Sequence, residues 1–431
     1  MKLKSSQATA LALTVLASTI KPAAADVITD WNQITVAATK TGGLNSNLGT
    51  RIGAIEAIAV YDAVNSIKQF GTPYHYNDAP PRPASAGAAA AQAAHDVLVN
   101  YFPAQLAALD AKLAASLAAI PDGVEKANGL AVGSAAASAI IALRANDGSS
   151  PNIEYPGPTV PGVGQWRPTP TAFAKGINAQ WALVTPFVVP SADLFRPSAP
   201  PAVGSPKYKK ALAEVQSIGS VSNTVRTVDQ THIAQFYKQD AELPVNEATR
   251  LLAEKHNLSL EENALLFALV DIAVADARIA LWDAKYEYAF WRPVTALNAN
   301  PDGSVTNGYA NWLPLIPTPA HPSYPSGHSG TFNAGFEVLQ AFFGDKQKLT
   351  LSTTTAGEPA RTIERLSQGE EENGLSRIYG GIHYPFDNEV GQNLGIKVAA
   401  YVLQNGPRFL DRHDDDDDHD RGHHNGHGPH R

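Results

Sequence analysis

The 431-residue chain contains no cysteine. Disulfide scaffolds, zinc-thiolate sites, iron–sulfur clusters and thiol catalysis are excluded together. It contains one methionine, the initiator. So little sulfur suits surroundings in which soft side chains would be oxidised. Positive charge is also short, with 33 Lys and Arg against 41 Asp and Glu and a net charge of −8, which argues against nucleic acid as a partner. Beyond the N-terminal segment no run of about 20 uninterrupted apolar residues occurs, so no membrane span is expected. Strand-like alternation is scarce. What is present is a 44% hydrophobic fraction, enough for a sizeable core.

Residues 1–25 have the form of a secretory signal peptide: Lys2 and Lys4, a short apolar run from Ala10 to Ile20, and Ala23-Ala24-Ala25 before Asp26. Export to the periplasm or the exterior is therefore expected. Removing the segment with its three lysines takes the net charge from −8 to −11. Alanine-rich helical patterns follow over 49–67, 84–99, 103–120 and 123–146. Residues 147–204 are rich in Pro, Gly, Ser and Thr, but Trp166, Trp181, Phe187 and Phe195 predict an ordered coil packed on helices rather than a free linker. Helical patterning resumes near 206 and 225 and continues over 246–256, 260–290, 327–343 and 385–404. The stretch 260–290 is apolar on most sides and is expected to be central. One domain, 26–408, is expected, with the active site in 260–404. Residues 409–431 form an Asp- and His-rich tail, and its segment 411–431 holds seven Asp and six His. That composition predicts disorder, although it also offers divalent-metal ligands.

Three clusters carry the chemistry. The first is Lys285 followed by Arg292-Pro293. On one continuous helix, residues seven apart differ by about 20° in direction and about 10 Å in height, so both cations could reach one anion. A solvated basic stripe is the plainer alternative. The second is Pro325-Ser326-Gly327-His328, leading straight into a helix. Ser326 suits an N-cap, Gly327 admits close approach of a ligand to its N–H, and the helix start favours negative charge. The third is Ser376-Arg377, then His383 and Asp387. Arg377 is a permanently charged, bidentate donor, Gly380-Gly381 permit a tight turn, and Asp387 can fix the tautomer of His383. Singly, each residue reads as an ion pair or a cap. Jointly, they describe a pocket for a tetrahedral or trigonal oxyanion, with each charge-assisted hydrogen bond contributing about 1.5–3 kcal/mol.

The order Lys-x6-Arg-Pro, Pro-Ser-Gly-His, Ser-Arg-x5-His-x3-Asp resembles the signature shared by vanadium-dependent haloperoxidases and type 2 phosphatidic acid phosphatases. Every signature position is matched, over 285–387, about a quarter of the chain. The resemblance specifies the pocket more closely than the reaction. It implies an all-α fold of two four-helix bundles in one compact domain, the first within 30–146, the second within 206–404 and supplying every pocket residue, with the ordered coil between. It implies vanadate as cofactor, with His383 bound to vanadium, and with Lys285, Arg292, Ser326, the Gly327 N–H and Arg377 holding its oxygens. His328 would be the acid/base, and Lys285 would also polarise bound peroxide.

Hydrogen peroxide and a halide are the implied substrates. An organic acceptor is possible, and monomer or homodimer stays open. The alternative is a secreted phosphatase with His383 as nucleophile and His328 as general acid. Chain length favours the haloperoxidase, as does Trp282, three residues before Lys285, which resembles the residues supporting that site. Residues 31–67 resemble the start of secreted bacterial haloperoxidases. His321 resembles bromide-oxidising members at its position, where a loop-capping histidine is the equal alternative.

Overall fold

The structure is a computed structural model, describing residues 26–222 and 224–410. The expected signal peptide and residues 411–431 of the tail lie outside the described residues. Five helices form the first half: α1 (Val27–Thr41), α2 (Ser46–Lys68), α3 (Ala86–Tyr101), α4 (Leu106–Leu117) and α5 (Val124–Arg144). Their starts follow local chemistry, because Asp26, Asn45 and Ser85 cap the first three through side-chain oxygens that accept backbone N–H groups. Among the described residues α5 alone is long and apolar enough to cross a membrane. It packs on α2 and α3, burying Val132, Ala136, Ala137 and Ile140.

The second half contains α6 (Pro206–Ile218), α7 (Val228–Phe236), α8 (Glu242–His256), α9 (Leu260–Tyr288), α10 (Pro293–Ala296), α11 (Gly327–Phe343), α12 (Leu366–Tyr379) and α13 (Pro385–Asn405). A small antiparallel hairpin, β1 (Leu349–Leu351) with β2 (Arg361–Ile363), pairs Leu349 with Ile363. The fold is helical, as expected. Helix α9 opens with a Ser259/Glu262 capping box, and every residue from Asn263 to Lys285 is buried. Each fully buried Leu, Ile or Phe there contributes roughly 1.5–3 kcal/mol of transfer free energy. It packs against α11 and α13 on one side and α2 on the other, and so joins the two bundles.

Helices α11 and α13 approach closely at small residues. A Cβ on Gly391 would lie 2.4 Å from the Ser326 carbonyl oxygen, and one on Gly395 2.2 Å from that of Gly330. Any larger side chain would push α13 away from the start of α11.

The coil 147–204 is ordered. Trp166 and Trp181 are fully buried, and Phe187 is also buried. The Asp276 carboxylate of α9 accepts the N–H groups of Phe187, Val188 and Val189. At the C-terminal end, Phe409 bridges to Gly71, and the Leu410 N–H donates to the Phe70 carbonyl. Pairing thus runs two residues past the expected boundary at 408.

Two expectations need correction. Lys285 and Arg292 do not share a helix. Helix α9 ends at Tyr288 with Ala289 in the left-handed region, and Arg292 is extended (φ −81, ψ 155) at the start of α10. Helix α12 was not expected. Its sequence, with Gly369, Gly374 and a run of three Glu, lacks a clear apolar stripe.

Candidate active site

Lys285, on the last turn of α9, is fully buried. Its ammonium donates to the carbonyls of Pro322, Ser323 and Pro325 at 2.8, 3.0 and 2.5 Å. These three acceptors use all its protons and fix the loop leading into α11. Burial, then the neighbouring Arg292, hold its pKa well below the usual lysine value. Arg292 is equally buried. Its Nε donates to the His321 carbonyl, and its Nη1 to the Ile382 carbonyl and to His383 Nε2, 2.9 Å away. Its Nη2 donates to His321 Nδ1, also at 2.9 Å. No carboxylate touches it, and burial pulls its pKa to about 9.

Arg377 comes from the last turn of α12. Its Nη1 donates to the Tyr237 carbonyl at 2.8 Å, and its buried Nε has no partner. Burial lowers its pKa to about 10. The turn after α12 uses Gly381 at φ +77, where a side chain would be strained, and it delivers His383. His383 Nδ1 lies 2.9 Å from Asp387 Oδ2. A guanidinium only donates, so Arg292 identifies Nε2 as the unprotonated nitrogen and Nδ1–H as the donor to Asp387. Asp387 also accepts from the Ser323 hydroxyl and the Tyr384 N–H. Burial raises its pKa to about 6.

Ser326 caps α11, its Oγ accepting the Ser329 N–H. A Cβ on Gly327 would stand 3.1 Å from Trp282 and 3.2 Å from the Lys285 side chain. Glycine is thus what lets the helix start sit on the cationic cluster. His328 follows in the first turn, and its Nε2 has no partner. Burial first, then Arg377 and Arg278, hold its pKa well below the usual histidine value, so it is neutral. The pKa of His321 is held well below the usual histidine value by burial, then Lys285 and Arg292, and its ring packs tilted at 47° on Trp282, 5.0 Å between ring centres. It is therefore built into the pocket wall and does more than cap a loop.

A cavity of about 190 Å³ lies over this cluster. Of the expected residues it is lined by Trp282, His321, Gly327, His328, Arg377 and His383. Lys285, Arg292, Ser326 and Asp387 sit behind that wall. Asn45, Ser46 and Asn47 of the first bundle also line it, as do Ile177 of the coil and Lys238, Asp240 and Arg278. The expectation that only the second bundle supplies the pocket is thus corrected. Arg278 could have been found from sequence, since 278, 282 and 285 fall on one helical face. Asn47 could not, being 231 positions from its partner Arg278.

The residues fit a tetrahedral oxyanion such as vanadate. Three buried cations, Lys285, Arg292 and Arg377, outnumber the two nearby carboxylates, Asp387 behind His383 and Asp240 on the cavity wall. Unpaired polar atoms on Arg377 and His328 remain, and His383 Nε2 carries a lone pair a metal could take.

A helical double bundle here converges cations and two histidines on one cavity, the make-up of an oxyanion site. Residues 265–412 match the family model for the VCPO second helical-bundle domain. Over 165 residues the chain is 31% identical to vanadium chloroperoxidase from Curvularia inaequalis, covering 36% of this chain. The matched stretch spans 24% of that relative's length. A solved structure described as the first bacterial vanadium-dependent iodoperoxidase superposes with a TM-score of 0.76 at 25% identity, covering 90% of this chain and 99% of the other. A holo-type bacterial vanadium-dependent chloroperoxidase superposes with a TM-score of 0.66 at 18% identity over 84% of this chain and 92% of its own, a likeness of fold. In fold the chain is similar to the vanadium haloperoxidases, and its residues 265–412 match their second helical-bundle domain.

Proposed function

We propose that this chain is an exported, vanadate-dependent haloperoxidase. It takes hydrogen peroxide and a halide, bromide or iodide in preference, and releases hypohalous acid or its equivalent. The carrying observation is the buried excess of positive charge around a histidine whose Nε2 lone pair is aligned by Asp387. In the balanced reaction one halide ion, one hydrogen peroxide and one proton give hypohalous acid and water. The halide loses two electrons and the O–O bond breaks.

Vanadate, when bound, would supply a Lewis-acidic centre that activates hydrogen peroxide toward halide. Around it, His383 Nε2 would be the ligand atom. Arg377 and the Gly327 N–H, which face the cavity, would hold its oxygens, and Lys285, Arg292 and the Ser326 hydroxyl would join them by exchanging a present partner for an oxygen. His328, neutral and with Nε2 free, holds or releases a proton at that nitrogen. The preference for bromide or iodide is supported by His321, and iodide by the description of the iodoperoxidase relative.

The test uses phosphate-free apo protein. Adding orthovanadate should switch on bromination of a phenolic dye, in bromide and hydrogen peroxide, far above free vanadate. Hydrolysis of an aryl phosphate by the apo protein, blocked by vanadate and without bromination, would instead identify a phosphatase.

A further inference from the structure

Arg278 belongs to none of the three sequence clusters and is not engaged by the vanadate-holding residues. It sits on α9, is 7% exposed and lines the cavity. Its guanidinium lies 4.6 Å from the ring centre of Trp282, and its Nε donates to Asn47 Oδ1 at 3.0 Å. No hydrogen bond or ion pair engages its two Nη groups among the described residues. Burial lowers its pKa, and Glu242 and Asp240 offset this from beyond ion-pair distance. Asn47 also lines the cavity and is 1% exposed. Because a guanidinium only donates, Arg278 Nε fixes which end of the Asn47 amide is oxygen. The other end, Nδ2, is left buried without a partner. Two donors on facing bundles, one charged and one neutral, thus stand unspent beside an aromatic face.

We propose that Arg278 and Asn47 form the halide subsite of this pocket. The inference rests on the haloperoxidase reading and names where its second substrate binds. A halide is monovalent, spherical and polarisable. It asks for N–H donors without fixed angles and tolerates the Trp282 ring. Asp240 and Glu242 moderate the positive charge at Arg278, which suits a monovalent anion there. The pocket then holds two anions on different donors, the oxyanion over His383 and the halide at Arg278 in the same cavity.

The experiment begins with crystals of the vanadate-loaded protein soaked in sodium bromide. A bromine anomalous peak is expected within contact of Arg278 Nη and Asn47 Nδ2. Kinetically, Arg278→Gln should raise the bromide KM about tenfold or more. The peroxide KM and the vanadate Kd should stay within about twofold, since neither ligand uses this donor pair. Asn47→Asp is the second variant, in case Arg278→Gln does not fold. It keeps the oxygen that accepts from Arg278 Nε but replaces the free N–H with an anionic oxygen, and should raise the bromide KM at least as much. A bromine peak elsewhere in the cavity overturns the proposal, as does an unchanged bromide KM in Asn47→Asp. A peak at Arg278 in a protein that oxidises no halide keeps the anion site and rejects the haloperoxidase reading. Bromide turnover with no peak there and unchanged KM values rejects the subsite alone.

Discussion

Two buried polar clusters, about four turns apart along α9, meet burial in opposite ways. The cluster at its C-terminal end holds Lys285, Arg292 and Arg377 against two carboxylates, Asp387 and Asp240. The other, where α1, α2, α8 and α9 meet, holds two buried acids. Glu56 is raised to about 8 by burial and then by Asp271, and Asp271 is raised to about 7 by burial. Around them an amide chain closes. Asn32 donates to Asn246 at 2.5 Å, Asn246 donates to Asp271 at 3.3 Å, and Arg250 donates to Asn32 at 2.6 Å. A carboxylate can relieve burial by taking a proton. The acid seam therefore neutralises itself near neutral pH. A guanidinium has no such exit, so the cation cluster is completed only by an anion from outside. Desolvation is common to both; the sign of the surplus charge separates a structural seam from a binding site.

The largest effect that would sharpen this contrast is expected at His383. Replacing it with Ala removes the ligand atom. Vanadate affinity should fall by more than about 100-fold, the upper end seen when only an outer-shell partner is lost. Equilibrium dialysis of the folded apo variant measures this, and undiminished affinity would defeat the assignment. Next is His328→Ala, which should leave vanadate binding nearly intact while lowering kcat about 10²–10⁴-fold. Full turnover would remove its proton-handling role. Asp387→Asn should weaken vanadate binding by about 10–100-fold, because it loosens the His383 tautomer without touching the ligand nitrogen.

The acid seam answers to pH instead. Both carboxyl pKa values are higher folded than unfolded, so the native state binds more protons over this range. The stability from this seam is fully present below the unfolded values, near 4, and is lost as pH rises through about 7 to 8. Thermal unfolding of Glu56→Gln should show a flatter dependence between pH 5 and 8 than the parent. An equally steep profile would show that Glu56 does not carry the linkage. The smallest effect is expected from deleting 411–431, which should leave halide oxidation unchanged; a folded deletion variant without activity would contradict this.

Much of the candidate site was legible because its residues come in short, rigidly spaced strings. Ser326 and Gly327 are read as a helix start from local chemistry alone, and His383 with Asp387 spans one turn. The buried character of α9 followed from its unbroken apolar composition. Other features were not legible. Helix α12 buries Glu370, Glu372 and Asn373, so tertiary partners override its poor pattern. Glu372, for instance, is clamped by Arg361 from the hairpin. The seven-residue spacing of Lys285 and Arg292 suggested one helix, yet Ala289 ends α9 in the left-handed region and Arg292 reaches the anion cluster from extended backbone.

The sequence by itself determined the helical class, the caps, and which side chains carry the charge, since these depend on residues a few positions apart. Only the tertiary structure decided what surrounds them. It set Asn47 of the first bundle against Arg278 of the second and brought the coil at Ile177 to the pocket wall. It left three cations with carbonyl and imidazole partners rather than paired carboxylates. Such placements arise from contacts 37 to 231 residues apart, where packing between helices, rather than any local preference, sets the geometry.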